Sequence, residues 1–215
     1  LACGMMCVIA SGAIDLSTGS ILSFSAICAA TVLQAGAPVW AGVLLALVAG
    51  TAMGTINGLL IQITRINAFI ITLATSFMYR GLSLMVTKGI PITKLPQSFR
   101  DFGCGDIFGM ESGVTMAFVV IVLLIPAFYF MRWGHYLTSL GGNPEALKRS
   151  GVAIGRYRVS AFALMGFLSA LAGIIITARL NSAEANAGLN MEMDAICAVS
   201  MGGTALHGRS GRLPR

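Results

Sequence analysis

Four apolar runs, 38–63, 67–86, 113–131 and 159–178, constrain this chain more than any other feature. Crossing the hydrocarbon core of a bilayer takes a helix of about 20 predominantly apolar residues, and each run approaches or exceeds that length. They are apolar nearly all round, so no one face is marked for a protein core, as suits helices immersed in lipid or in a bundle. Only 10% of residues are charged and 56% are hydrophobic, whereas a soluble domain needs about a quarter charged residues to cover its surface. A chain of 215 residues is too small to hide that much apolar area in a core of its own. Hydrocarbon is therefore the expected solvent. The fold class that follows is all-α: a polytopic transmembrane helix bundle with broken or re-entrant segments and a short cytoplasmic helix. Shorter apolar stretches at 1–11, 21–35 and 195–201 accompany the long runs.

Charge orients the bundle. Segment 132–158 holds Arg132, Lys148, Arg149, Arg156 and Arg158 against the single acid Glu145, while 87–112 balances three bases with three acids. By the positive-inside rule, 132–158 is cytoplasmic and 87–112 lies outside. One run, 113–131, separates them, so the two assignments agree. The net charge of +6 does not point to nucleic acid. The bases cluster between apolar runs and are not interleaved with aromatics along a face. The five cysteines are odd in number and form no C-x-x-C, which excludes a disulfide frame or a zinc site; no metal or cofactor is expected. The chain opens at Leu1 inside an apolar run, without a basic leader, and reads as part of a longer protein.

Three kinds of segment carry mechanism. Gly50, Gly54 and Gly58 recur every fourth residue, and Gly166, Ala170 and Gly173 form a similar small stripe. Such stripes let helix backbones approach closely in lipid, so they predict helix packing. In the basic segment, Leu140-Gly141-Gly142-Asn143-Pro144-Glu145-Ala146 leads to Lys148, Arg149, Ser150 and Gly151. Asn143 suits an N-cap, Pro144 the first helical position, Glu145 the positive helix end and Gly151 a left-handed stop. A capped helix of about seven residues, roughly 10 Å long, is expected over 144–150; it is either a connector or a knob that docks into a cytoplasmic partner. Finally, Ser11–Ser20 and Asn181–Asp194 interrupt the apolar runs with Asp15, Glu184, Glu192 and Asp194. Irregular backbone at membrane depth is tolerated only beside protein or a water-filled cavity, and ionisable groups there are costly. The alternative is a pair of surface loops with capping acids, Asp15 capping a helix that begins near Leu16.

Together these residues resemble the permease subunits of bacterial ABC importers for ribose, xylose, arabinose and related sugars, themselves related to branched-chain amino acid permeases. The marks are Ile14-Asp-Leu-Ser-Thr-Gly-Ser20, Asn57-Gly-Leu-Leu, Phe69-Ile-Ile-Thr-Leu73, Arg80-Gly-Leu, Leu140-Gly-Gly-Asn-Pro-Glu-Ala146 with Ser150-Gly-Val, and Asp194-Ala-Ile before Gly202-Gly-Thr204. They run from about residue 10 to 208. The resemblance implies one permease domain, 1–215, truncated at both ends, in a multi-pass bacterial inner-membrane protein surrounded by lipid. It implies a homodimer or pairing with a second permease. A cytoplasmic ATPase would dock on the coupling segment at 141–151, within the loop 132–158, and a periplasmic sugar-binding protein would deliver substrate. Ala13 stands where such permeases usually have Gly, which stiffens the break.

The leading expectation is a permease subunit of an ATP-driven importer for a ribose-like monosaccharide, working by alternating access. Its path residues would be Asp15, Ser17, Asn57, Thr72 and Thr75, and its ATPase-coupling residues those of 141–146 with Ser150 and Gly151. An ion-coupled carrier or channel with Asp15, Glu184 or Asp194 as ion site is the alternative, as is a branched-chain amino acid permease. The chain has no Gly-x-x-x-x-Gly-Lys-[Ser/Thr] loop, and His135 and His207 are unpaired. A transport subunit is therefore expected, not an enzyme, with ATP hydrolysis in a separate partner.

Overall fold

The computed structural model describes residues 1–107 and 109–203; Thr204, His207 and the tail 208–215 lie outside them. The described residues form a helical bundle: α1 (Ala2–Ala10), α2 (Thr18–Gln34), α3 (Val39–Thr64), α4 (Ala68–Thr87), α5 (Gln97–Cys104), α6 (Ser112–Tyr129), α7 (Arg132–Gly142), α8 (Pro144–Arg149), α9 (Ile154–Leu180) and α10 (Met191–Met201). Two-residue strands β1 (Ile92–Thr93) and β4 (Ser182–Ala183) pair antiparallel, as do β2 (Asp106–Ile107) and β3 (Met110–Glu111). Four helices, α3, α4, α6 and α9, are long and apolar enough to cross a membrane.

Local chemistry sets the boundaries. Pro38, extended at φ −67° and ψ 151°, precedes α3, and Arg65 ends it in the left-handed region at φ 56°. Asn67 then starts α4, its Oδ1 accepting a hydrogen bond from the Phe69 N–H at 3.0 Å. The expected span 159–178 proves longer, because α9 begins at Ile154. Arg156 and Arg158 lie in its first two turns, since a long basic side chain can run along the helix to the interface. The segment 132–158 is thus no open loop but α7, α8 and the start of α9. Similarly, 87–112 contains α5, whose Phe99 is fully buried.

Helix α9 is the centre of the bundle, touched by α1, α2, α3, α5 and α7. Its contact with α3 joins the two small-residue stripes. A Cβ on Gly50 would lie 2.6 Å from the Gly166 carbonyl oxygen, and one on Gly54 would overlap the carbonyl of Phe162. Gly58 faces the backbone of Val159 in the same seam, whereas Gly173 packs against the Leu22 carbonyl of α2. Two apolar clusters flank the middle. One gathers Met5, Ile9, Ile61, Ile71, Leu137 and Phe162. The other gathers Ile27, Leu33, Leu95, Phe99, Ile174 and Ala183. The first lies with the α3–α4 turn and α7 at one end of the bundle, the second with α5 and the β1–β4 pair at the other. This is the arrangement the charge pattern requires.

Helices α1 and α10, about 14 and 17 Å long at 1.5 Å per residue, are too short to cross a bilayer. After α9 ends at Asn181, with φ 51°, the chain pairs with β1 and then returns to set Gly188 against Gly19. Helix α10 therefore starts inside the bundle, beside α1. The two polar interruptions seen in the sequence are thus the α1–α2 and α9–α10 breaks. On the lipid side, α6 buries only Ser112 and exposes Phe118, Leu123 and Ile125.

Candidate functional site

The break between α1 and α2 carries a buried chain of polar groups. Asp15 Oδ1 accepts from the Ser17 backbone N–H at 2.9 Å and from the Ser17 hydroxyl at 2.6 Å. Ser17 Oγ in turn accepts from Asn57 Nδ2 at 2.7 Å. The Tyr79 hydroxyl lies 3.1 Å from Asn57 Oδ1 and 3.2 Å from the Met53 carbonyl, and donates to that pair. Beside them, the Leu16 N–H donates to Thr72 Oγ1 at 3.2 Å, and the Thr75 hydroxyl donates to the Thr72 carbonyl at the same distance. Asp15, Ser17, Asn57 and Thr72 are fully buried and Thr75 nearly so. All five expected path residues thus converge on one region, where α3 and α4 close on the break.

The alternative reading of Asp15, as a cap for a helix from Leu16, does not describe its local geometry. The helix begins at Thr18 with Ser17 as its first flanking residue, so Asp15 folds back on Ser17 instead of capping a helix from Leu16. Tyr79 was not among the residues expected from the sequence. The missed signal lies in α4, where Thr72, Thr75, Tyr79, Ser83 and Thr87 recur at three- and four-residue steps and are all buried. A polar stripe at helical spacing inside an apolar helix marks the face turned to protein. Ser20 and Ser76 extend the network with hydroxyls 2.9 Å apart.

The second break meets the first. A Cβ on either Gly19 or Gly188 would overlap the other's carbonyl oxygen, and the Gly188 N–H donates to Ser23 Oγ at 3.0 Å. Glu192 Oε2 reaches the same place, where it would crowd a Cβ on Gly19. Asp15 Oδ2 and Glu192 Oε2 are both buried without a hydrogen-bond partner among the described residues. Glu184 and Asp194, proposed from the sequence as alternative ion sites, are exposed instead. Among the described residues no group of three or more His, Cys, Asp or Glu side chains is arranged to hold a metal ion.

At the basic end of the bundle, α8 has six residues, one fewer than expected, because Ser150 already leaves the helix. Asn143 Oδ1 accepts from the Ala146 N–H at 3.0 Å, Pro144 opens the first turn, and Gly151 adopts φ 79°. Leu147 is buried and anchors the helix; Gly142, Asn143, Pro144, Glu145, Ala146, Lys148, Arg149, Ser150 and Gly151 are exposed. Gly141 alone is tucked inward, against the backbone of Ala10 and Gly12. The result is a short charged rod held by one apolar pin, with its outer surface free.

Comparison with known proteins agrees with this architecture. The family model described as branched-chain amino acid transport system, permease component, matches residues 1–213. The ribose import permease protein RbsC of Haemophilus influenzae is 37% identical over 99% of this chain and 67% of its own length. That of Bacillus subtilis is 42% identical over 99% of this chain and 67% of its own. The L-arabinose transport system permease protein AraH of Escherichia coli is 32% identical over 99% of this chain and 65% of its own. No solved structure matches the chain. With a lipid-facing bundle, paired helix breaks and a family match along almost its whole length, this chain belongs to the branched-chain amino acid transport system permease family of multi-pass membrane transport subunits.

Proposed function

We propose that this chain forms part of the translocation pathway of an ATP-driven bacterial inner-membrane importer for a ribose-like monosaccharide. Residues 1–215 would constitute one permease domain whose coupling segment is 132–158. The observation that carries the reading is the buried chain Asp15–Ser17–Asn57–Tyr79, a set of hydroxyl, amide and carboxylate groups at a helix break. Such groups suit the hydroxyls of a polyol, and buried polar groups in a bundle interior commonly mark a substrate pathway. Relatives named as ribose and arabinose permeases support the substrate class.

In this scheme a cytoplasmic ATPase docks on Gly141–Ala146, Ser150 and Gly151, and a periplasmic binding protein presents sugar at the end bearing α5. A second copy, or a second permease, pairs with the exposed apolar faces. ATP-driven movement of the ATPase pushes α8, and the breaks open alternately to either side. The test is uptake of radiolabelled ribose, allose and arabinose into vesicles containing the full-length permease, its ATPase and its binding protein. ATP-dependent uptake of at least one sugar is expected. Uptake that persists without the ATPase and collapses with the ion gradient would overturn the scheme. The family description names branched-chain amino acids, so labelled leucine belongs in the same assay; transport of leucine and no sugar would replace the substrate.

A further inference from the structure

The end of α7 touches the helix break through two glycines. A Cβ on Gly141 would lie 3.0 Å from the Gly12 backbone nitrogen and would overlap the Ala10 carbonyl oxygen; one on Gly12 would lie 3.2 Å from the Gly141 Cα. Gly12 also sits at φ 78°, where L side chains are strained. Both sides of this contact are stiff. The Gly12 N–H donates to the Ile9 carbonyl at 2.9 Å and the Ala13 N–H to the Val8 carbonyl at 3.3 Å, which locks the turn onto α1. Across from it, the Asn143 N–H donates to the Ser139 carbonyl at 2.9 Å while its side chain caps α8, so one hydrogen-bonded residue both ends α7 and starts α8. Three residues beyond Gly12 stands Asp15, the start of the buried polar chain.

We infer that Gly12 and Gly141 are positioning residues that carry displacement of α8 to the Asp15–Ser17 turn, so the α1–α2 break receives the stroke directly. The inference rests on the transport reading above. A contact between two backbones has no rotatable side chain to absorb motion, so a push on α8 moves the turn bearing Asp15 instead of being lost in rotamer changes. Helix packing alone would equally place small residues here, and the experiment separates the two roles.

Full-length permease carrying Gly12→Asn is reconstituted with its ATPase and binding protein, and sugar moved per ATP hydrolysed is measured with whichever sugar the wild type transports; Asn tolerates the left-handed backbone and still wedges the contact. Sugar per ATP is expected to fall about tenfold while assembly and binding-protein-stimulated ATPase activity stay within about twofold, since the site-to-site coupling is lost and both sites remain. Gly81→Ala, on a part of α4 with no atom within 4 Å of an added Cβ, serves as the unaffected control. Should Gly12→Asn fail to assemble, Gly12→Ala decides, because its Cβ alone would lie 3.2 Å from the Gly141 Cα. An assembled variant with wild-type sugar per ATP overturns the inference, as does failure of both variants to assemble, which would make the contact a folding seam. A wild type that moves no substrate with ATP overturns the transport reading instead.

Discussion

At the scale of single residues, burial in a bundle makes each polar group dependent on its partner. Asn57 is fully buried and bridges Ser17 on the break to Tyr79 on α4. Replacing it with Leu keeps the branched shape but removes both hydrogen bonds, leaving Ser17 with Asp15 and Tyr79 with the Met53 carbonyl, at a cost of about 1–3 kcal/mol in all. Asn57→Leu is therefore expected to lower the melting temperature of the detergent-solubilised protein and to abolish uptake. Tyr79→Phe removes one hydroxyl that donates to Asn57 Oδ1 and the Met53 carbonyl, so a loss of about 1 kcal/mol is expected, read by the same melt. Equal melting of the two variants would show that the bridge through Asn57 is not what holds the break. Asp15 and Asn57 were legible as candidates because carboxylate and amide groups stand out in apolar runs. Tyr79 was not, since a tyrosine in an apolar helix is ordinary until its stripe partners Thr72 and Thr75 are seen to face protein.

At the scale of helices, two seams have different jobs. The α3–α9 seam brings Gly54 under the Phe162 carbonyl, and backbone cannot turn aside as a side chain can. Gly54→Leu should thus force the helices apart at a cost of about 1–3 kcal/mol or more, seen as reduced membrane abundance and increased proteolysis. By contrast, α8 buries only Leu147. Charge reversal by Glu145→Arg should leave insertion intact and reduce ATP-driven uptake by about tenfold or more, because a docking contact is lost and no core is opened; deletion of 144–150, which also removes the buried Leu147, should leave insertion intact and abolish uptake. Unchanged uptake would refute a docking role for α8. The caps of α8 were readable from Asn143, Pro144 and Gly151, since capping is a local matter. Helix α5 was not readable, because its one buried aromatic, Phe99, acquires meaning only from the Ile174 and Ala178 face that it meets.

For the molecule as a whole, the ends of the bundle must face opposite compartments. In a cysteine-free background, Lys94→Cys is expected to react with a membrane-impermeant maleimide in intact cells, and Lys148→Cys only after permeabilisation; the reverse pattern would invert the topology. What the amino-acid order determined alone was the solvent, the long spans and the capped helix. Those depend on composition, run length and local hydrogen bonding, which act within one segment. Only the tertiary structure decided that the breaks at 11–20 and 181–194 meet at Gly19 and Gly188, that Glu192 Oε2 is buried beside Gly19 while Glu184 and Asp194 are exposed, and that Gly12 rests on Gly141. Residues far apart along the chain come together only where two segments can approach to backbone contact, and the glycines at these breaks stand in no periodic stripe that would mark the partner they meet.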